Sequence, residues 1–326
     1  MTEHLRRSIL ISLALGLFVA IALGLISDIR EVAASFSGFD WSVLPVVLGL
    51  TMFNYALRWL KWDYYLRRMG MGGGVGYYDS VLLFASGMVM AVTPAKVGEV
   101  LKSALLKRIN GTPISASAPI VLAERITDGL AMLLLMGVGL TLYPPARPAF
   151  AALLVLTVVG LLLVQSQSLM RRALAMLARL PLMGKATPRV ATAYESSQRL
   201  LSWRLLIIST IISVVSWFGE CAALYYVLVG LGVAGEALLL KATFVFAAST
   251  LFGLVSFLPG GLGVSEASST GLLVLLVPMA AGPATTATII IRFCTLWFGV
   301  SLGVIALVLF SRRYGTVAQE GLGVRG

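Results

Sequence analysis

Three ionisable residues stand together inside an apolar stretch of this chain: Glu124, Arg125 and Asp128, in the run VLAERITDGLAML. On a helix Glu124 and Asp128 are one turn apart on the same face, and Arg125 reaches Asp128 at the i,i+3 spacing. They lie about ten to thirteen residues into the stretch, roughly 15–20 Å along a helix axis. Charges at that depth in a bilayer are costly, and they face a cavity or one another. Two readings follow. The three residues could be an ion pair that only fixes packing. Alternatively, Arg125 meets a phosphate, for which its planar, always-charged fork is suited, and the two acids hold it in place. A second arginine, Arg292, lies within a later apolar stretch. Glu220, in SVVSWFGECAALYY, has nothing near it in sequence to neutralise it. It reads as an inert protonated acid, as a partner of Arg125 or Arg292, or as a proton carrier.

The elements that must position these charges are interrupted ones. Residues 79–106 and 241–281 are apolar, and each is broken near its middle by Pro and Gly. The first break reads Pro94-Ala95-Lys96-Val97-Gly98-Glu99. The second reads Pro259-Gly260-Gly261-Leu262-Gly263, with Glu266 soon after. Each break has a Pro, a Gly four residues on and a Glu just past it, and an arginine follows roughly thirty residues after the Pro, in a spanning helix. Such paired, Gly/Pro-interrupted segments point to a binding site at a repeat interface. Two re-entrant helical hairpins are the economical reading. Two ordinary helices kinked by Pro and Gly are the alternative. Glu99 and Glu266 are placed to cap the short helices that follow the breaks. Lys96 and Lys102 flank the first break and either draw in an anionic headgroup or snorkel.

Composition sets the solvent for all of this. Of the 326 residues, 59% are hydrophobic and 12% charged, and the mean hydropathy is +0.95. A water-soluble fold could not hide that much apolar surface. Six stretches are long enough to span: roughly 8–26, 41–60, 115–141, 148–165, 205–231 and 286–310. The expected fold is therefore an all-α polytopic membrane protein. It has six spanning helices plus two re-entrant hairpins in an inverted-topology repeat, and residues 1–326 form one transmembrane domain. The first stretch is read as a retained helix, not a cleaved signal.

The net charge of +11 sits in short segments between apolar runs, as topology and anionic headgroups require, so no nucleic-acid partner is expected. Basic residues collect at Arg6 and Arg7, at Lys61, Arg67 and Arg68, along 166–204, and at Arg312 and Arg313. That distribution puts both termini in the cytoplasm of a cell with the protein in its inner membrane. Segment 166–204 reads as an amphipathic helix pair on the membrane surface. Trp59, Trp62, Tyr64 and Tyr65 read as an interfacial aromatic belt. Gly299 and Gly303 form a GxxxG packing motif. Asn54 and Arg58 lie one turn apart, and Arg58 either snorkels or lines the pathway. Cys221 and Cys294 lie in apolar runs and make no metal site with His4. No metal or cofactor is expected.

The motifs P-x-K-x-G-E at 94–99, E-R-x-x-D at 124–128 and P-G-G-x-G-x-x-E at 259–266 resemble, in that order, those of the lysylphosphatidylglycerol synthase transmembrane region, also called the flippase-like domain family. The likeness extends over nearly the whole chain. It implies movement of a lipid between leaflets. One subgroup fuses this domain to a cytoplasmic aminoacyl-lipid synthase. No such segment follows here, so the resemblance implies translocation and not the transferase. A phospholipid, a polyprenyl phosphate or a hopanoid would be the cargo.

The expected function is a lipid flippase or scramblase, not an enzyme, and homo-oligomerisation is left open. A transporter of a small soluble anion is the alternative. A membrane-embedded lipid-modifying enzyme ranks below both, since there is no HExxH and Ser256 and Ser265 have no base partner in sequence. The expected substrate-binding residues are Arg125, Arg292, Lys96, Glu99, Glu124, Asp128, Glu220, Glu266 and Arg58. The hairpin tips are Pro94, Gly98, Pro259, Gly260, Gly261 and Gly263.

Overall fold

A computed structural model describes residues 28–93, 98–166 and 187–315. The expected first span, the tip residues Pro94 and Lys96, and the 167–186 part of the amphipathic segment lie outside the described residues. Twelve α-helices lie among the described residues. They are α1 (Ile29–Ser37), α2 (Leu44–Arg68), α3 (Tyr77–Met88), α4 (Leu101–Asn110), α5 (Ile114–Val138), α6 (Arg147–Gln165), α7 (Thr187–Leu200), α8 (Trp203–Gly230), α9 (Leu238–Val255), α10 (Val264–Leu276), α11 (Ala281–Arg292) and α12 (Phe298–Tyr314). No strand occurs among the described residues.

Local sequence explains many of the boundaries. Pro45 and Pro148 sit in the first turns of α2 and α6, where a missing N–H costs nothing. Gly111 ends α4 in the left-handed conformation, at φ 77°. Asp28 caps α1 by accepting a hydrogen bond from the Arg30 N–H at 2.9 Å.

Five helical stretches are long and apolar enough to cross a membrane: Trp41–Arg68, Pro144–Leu163, Trp203–Gly230, Leu238–Val255 and Ala281–Tyr314. Helix α5 matches them with 25 residues but carries three charges at its middle. The last stretch joins α11 and α12 through a π-turn at Phe293–Trp297. Its 34 residues make a rod of about 51 Å, well beyond a hydrocarbon core of about 30 Å. Helix α2 likewise continues past residue 60, the expected end of its span, because Trp62, Tyr65 and Leu66 are fully buried against protein. The aromatic belt is thus corrected in part: Trp62 and Tyr65 are core residues, not interfacial anchors. Helix α6 faces outward, with Val155, Leu156 and Leu162 exposed, as a lipid-facing helix must be.

Both interrupted regions are helix–break–helix. In the first, α3 runs through a 3-10 turn at Val89–Val92 and α4 returns. The return is fixed at its base, where the Asn110 side chain donates to the carbonyls of Met71 (2.9 Å) and Gly73 (3.0 Å). In the second, α9 and α10 pack closely on either side of a turn at Pro259–Gly261. Gly260, Gly261 and Gly263 all have positive φ, at 61°, 67° and 88°, a region costly for any residue with a Cβ.

The apolar interior forms two bodies. One is built on α2, α3, α4 and α12, around Trp62, Leu83, Leu106 and Phe310. The other is built on α8, α9, α10 and α11, around Leu224, Phe244, Leu273 and Ile291. Helix α5 contributes to both. A third, small cluster of Val92, Leu262, Leu296 and Val300 lies where the two breaks touch.

Candidate functional site

Two groups of ion-paired charges stand near the breaks. Around α5, three basic and three acidic side chains interlock. Arg125 Nη2 lies 3.3 Å from Glu99 and 3.1 Å from Asp128. Lys61 Nζ meets Asp128 at 2.6 Å and donates to Ser213 Oγ at 2.7 Å. Lys102 Nζ meets Glu124 at 2.6 Å and lies 3.7 Å from Glu99. It also sits 4.6 Å from the centre of the Trp62 ring, a cation–π distance. Near the second break, Arg292 Nε donates to Glu266 at 2.5 Å and Arg292 Nη2 donates to the Gly260 carbonyl at 2.8 Å. The other Glu266 oxygen accepts from the Gly263 N–H at 2.6 Å, capping α10.

Each arginine is therefore paired with the glutamate that follows the break in its own half: Arg125 with Glu99, Arg292 with Glu266. The two pairings differ in one respect. Arg292 donates from Nε to Glu266 and from Nη2 to the Gly260 carbonyl. Arg125 is within ion-pair distance of two acids, yet its Nε and Nη2 are buried without hydrogen-bond geometry to any partner.

Two adjoining cavities open beside these pairs. The first has about 600 Å³ of unfilled space, part of it open to the surroundings, and is lined by Thr93, Arg125, Asp128, Gly260, Gly261 and Arg292 among others. Both breaks and both arginines thus border one space. The second is lined by Arg58, Glu99, Glu220, Tyr55 and Arg292, and it shares Trp217, Thr250 and Arg292 with the first. Arg58 is buried, with its guanidinium 5.2 Å from the Trp217 ring centre and 6.0 Å from that of Phe84, and its Nε is unpaired. The π-turn after Arg292 frees backbone at this level, and the Thr295 carbonyl accepts a hydrogen bond from Tyr55 Oη.

Arg125, Arg292, Asp128, Glu99, Glu220 and Arg58 border the cavities, as do Gly260 and Gly261. Glu124 does not: it turns to Lys102. Glu266 stands behind Arg292. Gly98 holds the first break closed, its N–H donating to Thr93 Oγ1 at 2.9 Å. Pro259 and Gly263 shape the second break without lining the cavity. Sequence reasoning missed Lys61, which it read as a basic residue beyond the second span. It is fully buried inside α2. Its place four residues before Tyr65 and three after Arg58, on the buried face of the helix, is the signal that could have found it. Among the described residues, no group of three or more His, Cys, Asp and Glu could hold a metal.

A bundle of long apolar helices with paired charges around an internal cavity defines a polytopic membrane protein. The lysylphosphatidylglycerol synthase TM region family matches residues 9–303, and the chain belongs to that family. It is also similar to a UPF0104 membrane protein of Methanothermobacter thermautotrophicus, 27% identical over 288 residues, which cover 82% of this chain and 83% of the relative.

Proposed function

We propose that this protein moves a lipid with an anionic, phosphate-bearing headgroup between the leaflets of its membrane, as a flippase or scramblase and not as an enzyme. The observation that carries the reading is the cavity at which the two breaks meet, bordered by Arg125 and Arg292. An anionic headgroup crossing a low-dielectric interior needs its charge matched along the way. Arg125 supplies a fixed cation at the cavity wall, its Nη2 held between Glu99 and Asp128, and a guanidinium suits a phosphate. Family membership supports a flippase-like role.

In this reading the two interrupted regions are helical hairpins of an inverted repeat, the first re-entrant and the second with one arm, Leu238–Val255, long and apolar enough to cross. The stretch Tyr77–Val92 is 16 residues, about 24 Å, short of a full crossing. The Asn110 bonds tie both ends of the first hairpin together. Both termini are cytoplasmic, the protein lies in the inner membrane, and the headgroup passes by alternating closure around the breaks. Cysteines at Gly73 and at Thr93, beside the first break, should then label from one side of the membrane, and a cysteine at Glu236 from the other. Labelling of the Gly73 and Thr93 positions from opposite sides would rule out re-entrance.

The test of function is leaflet exchange in proteoliposomes carrying a fluorescent anionic phospholipid. Arg125→Lys keeps the charge but loses the fork. It should cut exchange about tenfold or more, the equivalent of about 1.4 kcal/mol, while the protein still inserts and stays monodisperse. Normal exchange in this variant would return Arg125 to a packing role. Uptake of a soluble organic phosphate, with no lipid exchange by the unmodified protein, would favour the small-anion transporter instead.

A further inference from the structure

We propose a second anion site, separate from the central cavity, for a phospholipid headgroup that binds at the membrane face and is not transported. It is a pocket lined by Tyr64 and Arg68 at the end of α2, Arg199 at the end of α7 and Arg204 in the first turn of α8, with Met69 and Leu205 as apolar lining. Three helix ends, from two separate parts of the chain, bring three arginines to one concavity. None of the three is within ion-pair distance of an acid among the described residues.

Like charges gathered without a counter-charge repel. Helix electrostatics accounts for part of the pattern, since Arg68 and Arg199 complement the negative C-terminal ends of α2 and α7. It does not account for Arg204, which sits at the positive end of α8, where a cation is unfavourable. An anion in the pocket reverses that sign. All three residues are arginine, whose fork suits phosphate oxygens. The adjacent Trp203 is 66% exposed, as aromatic residues are at the headgroup level of a bilayer. The apolar lining suits the glycerol end of a lipid better than a free phosphate. Basic pockets between helices at the membrane face take headgroups with more than one negative charge.

The test uses the full chain in neutral-detergent micelles and reads the melting temperature as lipid is titrated in. Cardiolipin should raise it most, phosphatidylglycerol less and phosphatidylcholine little. In Arg199→Gln/Arg204→Gln the half-saturating fraction of cardiolipin should rise about tenfold or more. In Arg312→Gln, a basic residue outside the pocket, it should stay at the unmodified value. If the glutamine variant fails to fold, Arg199→Lys/Arg204→Lys keeps the charge and should still weaken saturation. Unchanged saturation in whichever variant folds overturns the site. Stabilisation by pyrophosphate equal to that by cardiolipin assigns the pocket to soluble phosphate and overturns the lipid assignment. Because transport is not read, this outcome is independent of the flippase reading.

Discussion

Lys102 and Glu124 lie 2.6 Å apart with almost no exposure on either side. A buried pair of this kind is weak evidence for net stability, since both charges have lost their hydration. Its consequence is asymmetric. Lys102→Met leaves the Glu124 carboxylate buried without its partner and should destabilise by about 3–5 kcal/mol. Lys102→Met/Glu124→Gln removes both charges and should recover most of that loss. Thermal unfolding in detergent compares the two, and equal losses in both variants would mean the pair carries no coupling. By the same logic Lys61 is a positioning residue. It occupies one Asp128 oxygen at 2.6 Å, while the other oxygen faces Arg125 at 3.1 Å. Lys61→Met should therefore reduce leaflet exchange without touching the cavity. Arg125, Asp128 and Glu124 were legible as a buried group because their spacing is local. Their partners Lys61 and Lys102 were not, because they come from helices 67 and 22 residues away.

At the scale of elements, small residues set how closely the helices approach. A Cβ on Gly303 would lie 2.6 Å from the Val89 nitrogen and 2.9 Å from the Ala85 carbonyl oxygen. The obstacle is backbone, which cannot rotate away. Gly303→Ala must push α12 off α3, at a cost of about 1–3 kcal/mol, seen as a lower melting temperature. The GxxxG of residues 299–303 is thus a packing motif, as its spacing suggested. Gly260 has a different role. Its φ of 61° costs a residue with a Cβ about 1–2 kcal/mol, and its carbonyl accepts the Arg292 bond. Gly260→Ala should loosen that bond, lowering leaflet exchange by more than its modest loss of stability explains. An exchange rate that falls only in step with the folded fraction would limit Gly260 to a structural role. The Pro and Gly clusters marked the breaks in sequence because those residue types act on their own backbone. That the first break is closed by Thr93 reaching Gly98 could not be read from composition.

For the whole molecule, the arrangement is two apolar bodies that share α5, join broadly where α2 packs along α8, and touch at the two breaks through the small cluster of Val92, Leu262, Leu296 and Val300. So small a contact between the breaks is suited to opening and closing, because few buried contacts are lost. A cysteine pair at Val92 and Leu262 should cross-link on oxidation, stop leaflet exchange and release it again on reduction. Exchange that continues through the cross-linked protein would show that the breaks need not separate. Around the cavities, Arg292 borders both spaces. On the proposed function, a headgroup moving from the Arg125 side to the Arg58 side would pass one shared cation.

What the sequence determined alone was the solvent, the helical class, the places where two helices break, and the arginines at depth. Hydropathy, helical spacing and the backbone habits of Pro and Gly are properties of neighbouring residues, so a linear reading captures them. It also ordered the motifs that place the chain in its family. What only the tertiary structure decided was which charge meets which. Lys61 reads as a basic residue beyond a span until α5 and α8 pack around it and present Asp128 and Ser213. Trp62 and Tyr65 read as interfacial until α2 is covered. Glu124 and Asp128 share one helical face, yet only Asp128 borders the cavity, because Lys102 draws Glu124 away. The energy of a buried charge depends on the dielectric and the partner that distant segments bring to it. No local pattern contains that information.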